Sequence, residues 1–480
     1  MFQTVLFGIL SFLMFYYFAL TLQWYSYKIK RVIFNFSKPL WHIWFLALPL
    51  LAKATCDYSG YGYAFSFFAA AYFVYFALWF KKLDKKLVFT QRIKRFVMSF
   101  SILFVFLFAF TKGGYPVSTF LLSAILSYLI SLRVERKVAQ EFENRAKERL
   151  LGINPIVIAV TASFGKTSIK NFLAHILSSS YKVYPTPASV NTKIGIIKDI
   201  NEKLPEDTQI YIVEAGARAK GDIAEIADLV SPHYSVIGKI GEAHIEYFKT
   251  LDNIRATKSE ILNSGRLKKA FAYENVKASG ENIVVFGYED GVRIFNPTST
   301  LGGVSFELEV AKERYEFVAP NILGAFNAIN ITAAVLVALE IGMEIKTIQE
   351  AVKTIPSVAH RLQKIVAGGK IILDDSFNGN FDGIKEGIAL CKTHNGQKTI
   401  VTCGLVESRD ELNIELAKLI DDTFDLVIIT GELNRKLFEA NIKRCEAIFL
   451  KDKNELQNVL AEQTAAGSIV YFANDAPGYI

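Results

Sequence analysis

Residues 156–170, IVIAVTASFGKTSIK, gather the residue types that handle phosphate. A β-branched apolar run feeds the tight turn Thr161-Ala162-Ser163-Phe164-Gly165-Lys166-Thr167, and a helical pattern follows at Ser168. Backbone N–H groups at a helix start point at an anion, a lysine offsets its charge, and a hydroxyl reaches Mg²⁺. Those are the parts of an ATP phosphate site. The strict pattern G-x-x-x-x-G-K-[ST] is not met, because Val160 stands where its first glycine belongs. Taken alone, the turn is also compatible with a chance GKT in a surface loop.

Four further clusters carry chemical potential. Tyr211-Ile212-Val213-Glu214 puts a carboxylate at the end of an apolar strand, the edge at which open parallel sheets bind ligands. An acid there can hold Mg²⁺, which prefers oxygen ligands; a solvated strand-end glutamate is the plainer alternative. Gly238-Lys239-Ile240-Gly241-Glu242-Ala243-His244 is a strand followed by a glycine turn, and an isolated His244 in it is more often structural than a ligand. Arg255-Ala256-Thr257-Lys258-Ser259-Glu260 reads by itself as a solvated helix face. Asn327-Ala328-Ile329-Asn330 opens an apolar helix; asparagine can read an adenine edge, but at a helix start it usually caps.

The elements that must position these residues begin after Asn154-Pro155, where short β-branched runs alternate with helical stretches. Strands are expected at 156–160, 210–213, 235–240, 283–286, 371–374, 399–402, 426–430 and 469–472. Such alternation argues for mostly parallel sheets covered by helices. A more antiparallel patch is expected within 293–319, and a second α/β unit begins near 356–367.

Before this body the chain is different. It is 51% hydrophobic over 480 residues, and the excess is concentrated in 4–23, 41–52, 63–80, 96–110 and 117–132. Three of these approach the roughly 18–20 residues that span a bilayer, and 41–52 is short. The first lacks the basic start and the cleavage site of a signal peptide. Basic residues follow the first (Lys28, Lys30, Arg31, Lys38), third (Lys81 to Arg95) and fifth (Arg133, Arg136, Lys137) segments. The positive-inside rule then predicts an external N-terminus, five crossings and a cytoplasmic body. Much of the net charge of +7 lies in these linkers, so attraction to anionic lipid explains it better than a nucleic-acid partner. The four cysteines show no CxxC or metal-ligand spacing and no disulfide framework.

In this order, TASFGKTS, VEAGARAKGDIAEIADLVSP, IGEAHIEYFKTLDNIRATKSEIL, LGAFNAINITAA, HRLQ, LDDSFNGNFDG and TCGLVE resemble the motifs of the Mur ligase family, over 154–480. The resemblance implies α/β architecture, and composition sets before it an α-helical membrane region of about five helices in 1–133 and a charged connector in 134–153. A P-loop central ATPase domain in 154–355 and a smaller Rossmann-like C-terminal domain in 356–480 would follow. It implies an ADP-forming amide ligase of peptidoglycan synthesis working through an acyl phosphate. The motifs are most similar to those of members that add D-alanyl-D-alanine to UDP-N-acetylmuramoyl-tripeptide, which makes those two molecules the implied substrates. A multi-pass protein of the bacterial inner membrane, in contact with the lipid bilayer and other cell-wall synthesis proteins, is the implied setting.

Roles carry over by motif. Lys166 and the loop from Thr161 to Ser168 would hold the ATP phosphates, with Thr167, Glu214 and His244 at the metal site. Lys258 matches a lysine that the family carries as a CO₂-derived carbamate, holding the second of two Mg²⁺. Asn330 would contact adenine, Arg361 the γ-phosphate, and Asp375 the nucleotide from the last domain. Asn378 and Asn380 lie where the incoming amine component is expected. The catalytic group so implied is Lys166, Lys258, His244 and Arg361.

The match has departures. Ala162 replaces a usual glycine, Phe326 a histidine, Phe377 a tyrosine and Phe381 a proline, and the 472–477 segment lacks the expected glycine and lysine. Relatives grip a uridine nucleotide with a soluble N-terminal domain; apolar segments stand there in this chain, which makes a lipid-linked acceptor thinkable. A sibling ligase acting on a poly-γ-glutamate-like or lipid-linked acceptor is the alternative. A P-loop-driven transporter is opposed by the lack of an LSGGQ-like signature and of charges within the spans. A decayed, non-catalytic scaffold is opposed by the joint presence of all eight motif residues from Lys166 to Asp375.

Overall fold

The computed structural model describes residues 2–475 apart from Asn35, Asp84, Ala243, His244, Asn378 and Glu407, so two expected site residues, His244 and Asn378, lie outside the described residues. The chain divides into two compact units, Met1–Glu141 and Phe142–Ile480. The division falls inside one 38-residue helix, Pro116–Ile153, which takes in the whole charged stretch expected as a connector.

In the first unit, four helices among the described residues are long and apolar enough to cross a membrane: Phe2–Trp24, Gly62–Lys81, Gln91–Phe110 and Pro116–Ile153. Segment 41–52, a short segment that the sequence leaves open as either a crossing or re-entrant, is not among them. It lies in a helical run of three pieces, Leu40–His42, a π-helical stretch Ile43–Ala47, and Leu48–Ser59. That run carries Lys53 and Asp57, which lower its hydropathy and which pair one turn apart. Lys53 is buried and lies over the Phe65 ring, so a cation sits inside the bundle rather than at its rim. Helix Phe2–Trp24 is the innermost, with 56% of its apolar window buried against 22–28% for the other three. Phe15 stacks on Phe100 at 3.8 Å between centroids, and the Tyr17 hydroxyl pairs with His42 Nδ1 at 2.8 Å. Outward faces keep Phe67, Ile102, Phe106 and Phe110 exposed, far more apolar surface than water tolerates on a soluble bundle.

The second unit is built on two sheets. Nine strands form the first: β1 (Ile156–Thr161), β2 (Val183–Pro185), β3 (Ile210–Glu214), β4 (Tyr234–Ile237), β5 (Lys269–Tyr273), β6 (Ile283–Gly287), β7 (Val292–Thr300), β8 (Gly303–Val310) and β9 (Glu313–Ala319). Their order is β2-β3-β1-β4-β5-β6-β7-β8-β9, parallel as far as β7 and antiparallel across β7-β8-β9. The buried-on-both-faces strands β1 and β3 are continuous apolar runs, as parallel pairing requires. β8 alternates inward and outward residues, the signature of a half-covered antiparallel strand.

Six strands form the second sheet: β10 (Gln363–Ala367), β11 (Lys370–Asp375), β12 (Lys398–Thr402), β13 (Leu426–Thr430), β14 (Glu446–Leu450) and β15 (Ile469–Ala473). The order is β10-β11-β15-β12-β13-β14, with only β10 antiparallel to its neighbour. In both sheets the strand ends that carry Glu214, Asp375 and their neighbours are carboxyl ends, the edge where parallel sheets present ligand-binding loops. The strand expected at 235–240 stops at Ile237, because Gly238 and Gly241 already belong to the turn beyond.

Candidate active site at the carboxyl edge of the central sheet

The loop after β1 turns sharply enough to start helix Lys166–Ser178 within five residues. Gly165 makes this possible with φ +81°, a conformation L side chains avoid. A Cβ there would also come within 2.6 Å of Asn330 Oδ1. The loop is pinned from the β4 side. Ser163 N donates to Lys239 O at 3.0 Å and Ser163 Oγ to Gly241 O at 3.0 Å. Lys166 folds back over its own loop, donating to Ala162 O at 2.9 Å and Ser163 O at 3.2 Å. Burial lowers its pKa against the pull of Glu214, and Arg361 pushes it further down. An anion bound at the loop would oppose that lowering and favour the charged lysine.

Glu214, at the end of β3, is almost wholly buried and gathers three partners. Thr167 Oγ1 donates to Oε2 at 3.0 Å, Asn191 Nδ2 donates to Oε1 at 3.1 Å, and Lys170 Nζ lies 3.3 Å from Oε2. Gly216 lets Asn191 come so close, since a Cβ there would sit 2.8 Å from Asn191 Cγ. Below this group, Tyr184 and Tyr211 donate to buried Asp199 at 2.9 and 3.2 Å. Burial raises the Asp199 pKa while the two hydroxyls and Lys170 oppose it.

Lys258, on helix Leu251–Ser259, is buried rather than solvated. Burial first, and Lys166 second, bring its pKa down to about 7. With Lys166, Asn191, Lys193 and Arg218 it lines one cavity of about 380 Å³ in front of the loop. The bland helix-face expectation for Lys258 is therefore corrected: the exposed face of this helix is elsewhere.

Arg361 enters from the start of the second sheet. Both its neighbours are left-handed, His360 at φ +61° and Leu362 at φ +49°. Two adjacent carboxylates hold that shape: Asp374 accepts from His360 Nδ1 at 2.8 Å, and Asp375 from Leu362 N at 2.9 Å. The Arg361 guanidinium donates to Phe377 O, and burial lowers its pKa while Asp375 and Glu214 raise it. Asn330 is buried, donates to Asn327 Oδ1 at 2.8 Å, and presses on Gly165, so it touches the loop itself. Asn380 caps helix Phe381–Lys392 through Gly383 N at 2.7 Å. Across the sheets, Lys239 pairs with Asp382 at 2.9 Å and Arg409 with Glu242 at 3.5 Å.

Among the described residues, no three His, Cys, Asp or Glu side chains form a protein-only metal cage. Mg²⁺ does not need one, because it binds through one or two carboxylates, waters and phosphate oxygens. Thr167 Oγ1 and Glu214 Oε2 are hard oxygen donors side by side at a helix N-terminus, so the residues present suit a Mg²⁺ arriving with a nucleotide.

Lys166 with Thr167, Glu214, Lys258 and Arg361 thus come from four separate stretches to one edge. Lys170 and Asn191 join them without having been singled out in the sequence. Lys170 did leave a signal: a charge amid Ile169, Phe172, Leu173, Ile176 and Leu177, all on the buried face of the helix. A loop asparagine such as Asn191 leaves none.

Residues 160–338 match the Mur ligase middle domain family. The UDP-N-acetylmuramoyl-tripeptide–D-alanyl-D-alanine ligase of Bacillus subtilis is 25% identical over 344 residues, covering 68% of this chain and 74% of the relative. That of Borreliella burgdorferi is 28% identical over 295 residues, 57% of this chain and 62% of the relative. Among solved structures, a MurF ligase from Thermotoga maritima in complex with ADP superposes with TM-score 0.61 at 24% identity, over 70% of this chain and 80% of that one. MurF from Acinetobacter baumannii gives TM-score 0.61 at 22% identity, over 70% and 77%. At these identities the structural likeness establishes the fold, a Mur ligase α/β fold.

Proposed function

We propose, for a chain whose residues 160–338 are a Mur ligase middle domain and whose homologues are Mur ligases, an ATP-dependent amide ligase that joins D-alanyl-D-alanine to UDP-N-acetylmuramoyl-tripeptide. The observation that carries this reading is the convergence of Lys166, the Thr167–Glu214 pair and Lys258 on one cavity edge beside a helix N-terminus. That set serves phosphoryl transfer to a carboxylate.

The acceptor carboxylate attacks the γ-phosphorus of ATP; the bond to the bridging oxygen breaks and ADP leaves. The amine nitrogen then attacks the acyl carbon, the C–O bond to phosphate breaks, and the nitrogen loses a proton. Charge on the transferring group must be offset, and positioned cations do most of this work in such reactions. Lys166 supplies one by swinging from its loop carbonyls to the phosphates, and Arg361 supplies another from the second sheet. Mg²⁺ held by Thr167 and Glu214 would add charge at the same oxygens. Asn330, which touches the loop at Gly165, would contact adenine, and Asp375 holds the Arg361 turn through Leu362 N. Asn380 and Asn378 are the residues proposed to meet the incoming amine component. His244 is assigned to the metal site with Glu214.

Lys258 takes a special part. With a pKa of about 7, much of it is neutral near pH 7, and a neutral buried amine attacks CO₂. A C–N bond would form as the nitrogen loses a proton, and the resulting carbamate would supply oxygen ligands for a second Mg²⁺. The four apolar helices favour a second reading, in which the acceptor is lipid-linked and meets the enzyme at the membrane.

Phosphate release by the detergent-purified full chain tests both. ATP, Mg²⁺ and D-alanyl-D-alanine are supplied with either UDP-N-acetylmuramoyl-tripeptide or its lipid-linked counterpart. Turnover that needs the dipeptide and the soluble nucleotide supports the main reading. Turnover only with the lipid-linked acceptor supports the second, and silence with both overturns the assignment of substrate.

A further inference from the structure

Lys170 is the largest buried charge that the proposed chemistry leaves without a task. It lies one turn past Lys166 on the same helix, yet only 1% of its side chain is exposed, whereas Lys166 lines the cavity. A lysine ammonium is seldom buried unless paired. Its Nζ joins three elements at once. It belongs to helix Lys166–Ser178, stands 3.3 Å from Glu214 Oε2 on β3, and donates to Ala188 O in the loop after β2.

That loop is not relaxed. Ala188 has φ +46°, a conformation that costs a non-glycine residue energy and persists only where neighbours fix it. Three residues on, the same loop delivers Asn191 to Glu214 Oε1 at 3.1 Å. Both oxygens of Glu214 are thereby oriented: Oε1 by Asn191, and Oε2 by Thr167 with Lys170 behind it.

We infer that Lys170 and Asn191 are positioning residues that set the Glu214 carboxylate for a nucleotide-bound Mg²⁺. Lys170 does so by charge and by clamping the loop that carries Asn191. Neither touches the reacting phosphate. The inference rests on the nucleotide–metal reading given above. Groups of this kind, one contact removed from a metal, typically cost about 10–100-fold in metal affinity when lost.

The test is ADP binding to the full-length protein in detergent, measured with excess Mg²⁺ and again with EDTA. Lys170→Gln keeps a donor for Ala188 O but removes the charge. It is expected to bind ADP as the unsubstituted protein does in EDTA, and to lose at least about tenfold of the Mg²⁺-dependent gain. Asn191→Ala, in a half-exposed loop where folding is not at stake, should show the same selective loss. An unchanged Mg²⁺ response in either variant overturns the inference, as does an equal loss with and without the metal. Should the unsubstituted protein itself show no Mg²⁺-dependent binding, the nucleotide–metal reading fails first; normal binding there with an unaltered variant response refutes only the positioning role.

Discussion

At the residue scale, burial decides what each lysine can do. Lys258 sits on a short polar helix whose sequence gives no hint of a core position, and only the fold buries it beside Lys166 on the cavity wall. The same side chain in water would be an inert ammonium. Below a pH of about 7 Lys258 is protonated and cannot attack CO₂; above it the neutral amine can. Activity at fixed dissolved CO₂ should therefore rise through that pH, and added bicarbonate should raise it further in CO₂-stripped buffer. Lys258→Ala should be inactive and regain part of its turnover with millimolar short carboxylates; absence of any such rescue would count against the carbamate. Gly165→Ala is a second residue-level prediction. Its φ of +81° and the crowding against Asn330 should together cost about 1–3 kcal/mol, read as a lower melting temperature and weaker ADP binding. Lys166, Thr167 and Glu214 were legible because strand, turn and helix signals surround them. Asn191 was not, because a loop asparagine leaves no pattern, and Lys170 left only a charge on an otherwise apolar helix face.

Turns and strands carry the second level. The His360–Leu362 turn is held left-handed on either side of Arg361 by Asp374 and Asp375, two carboxylates at the end of β11. Asp375→Ala would leave the Leu362 N–H buried without its acceptor, a loss of about 1–3 kcal/mol. The measurable result is a lower melting temperature joined to a raised KM for ATP, while unaltered ATP kinetics would show that the turn does not position Arg361. All eight strands read from β-branched runs are present, since continuous apolar runs are what buried parallel pairing demands. β2, β5, β10 and β14 escaped, β5 because its run Lys269–Tyr273 holds no β-branched residue. β2 has three residues and ends in proline, while β10 and β14 are sheet edges with partly exposed residues and no strong apolar run. The apolar segment at 41–52 was legible as helical but not as a run broken by a π-stretch and continued through Lys53 and Asp57.

At the scale of the whole molecule, an apolar helical unit and an α/β unit of Mur ligase fold share one chain. The apolar unit was visible in composition, the α/β unit in the alternation of β-branched and helical runs, and its Mur ligase character only in the motifs. A consequence of the pairing is that the protein should stay in the membrane pellet through high-salt and alkaline washes; release by either would show that the four apolar helices do not span a bilayer. The pairs Lys239–Asp382 and Arg409–Glu242 join the two sheets of the second unit at exposed positions. Each is worth at most about 1 kcal/mol, so they add little to how firmly the sheets are held together. The central claim is that ATP activates a carboxylate on this scaffold, and isotope transfer tests it most directly. Acceptor carrying heavy oxygen in its terminal carboxylate is incubated with the full chain, ATP, Mg²⁺ and D-alanyl-D-alanine, and the released phosphate is analysed by mass. One heavy oxygen in each phosphate, with unlabelled ADP, is the predicted result; phosphate free of the label, or label found in a nucleotide, would contradict an acyl-phosphate ligase.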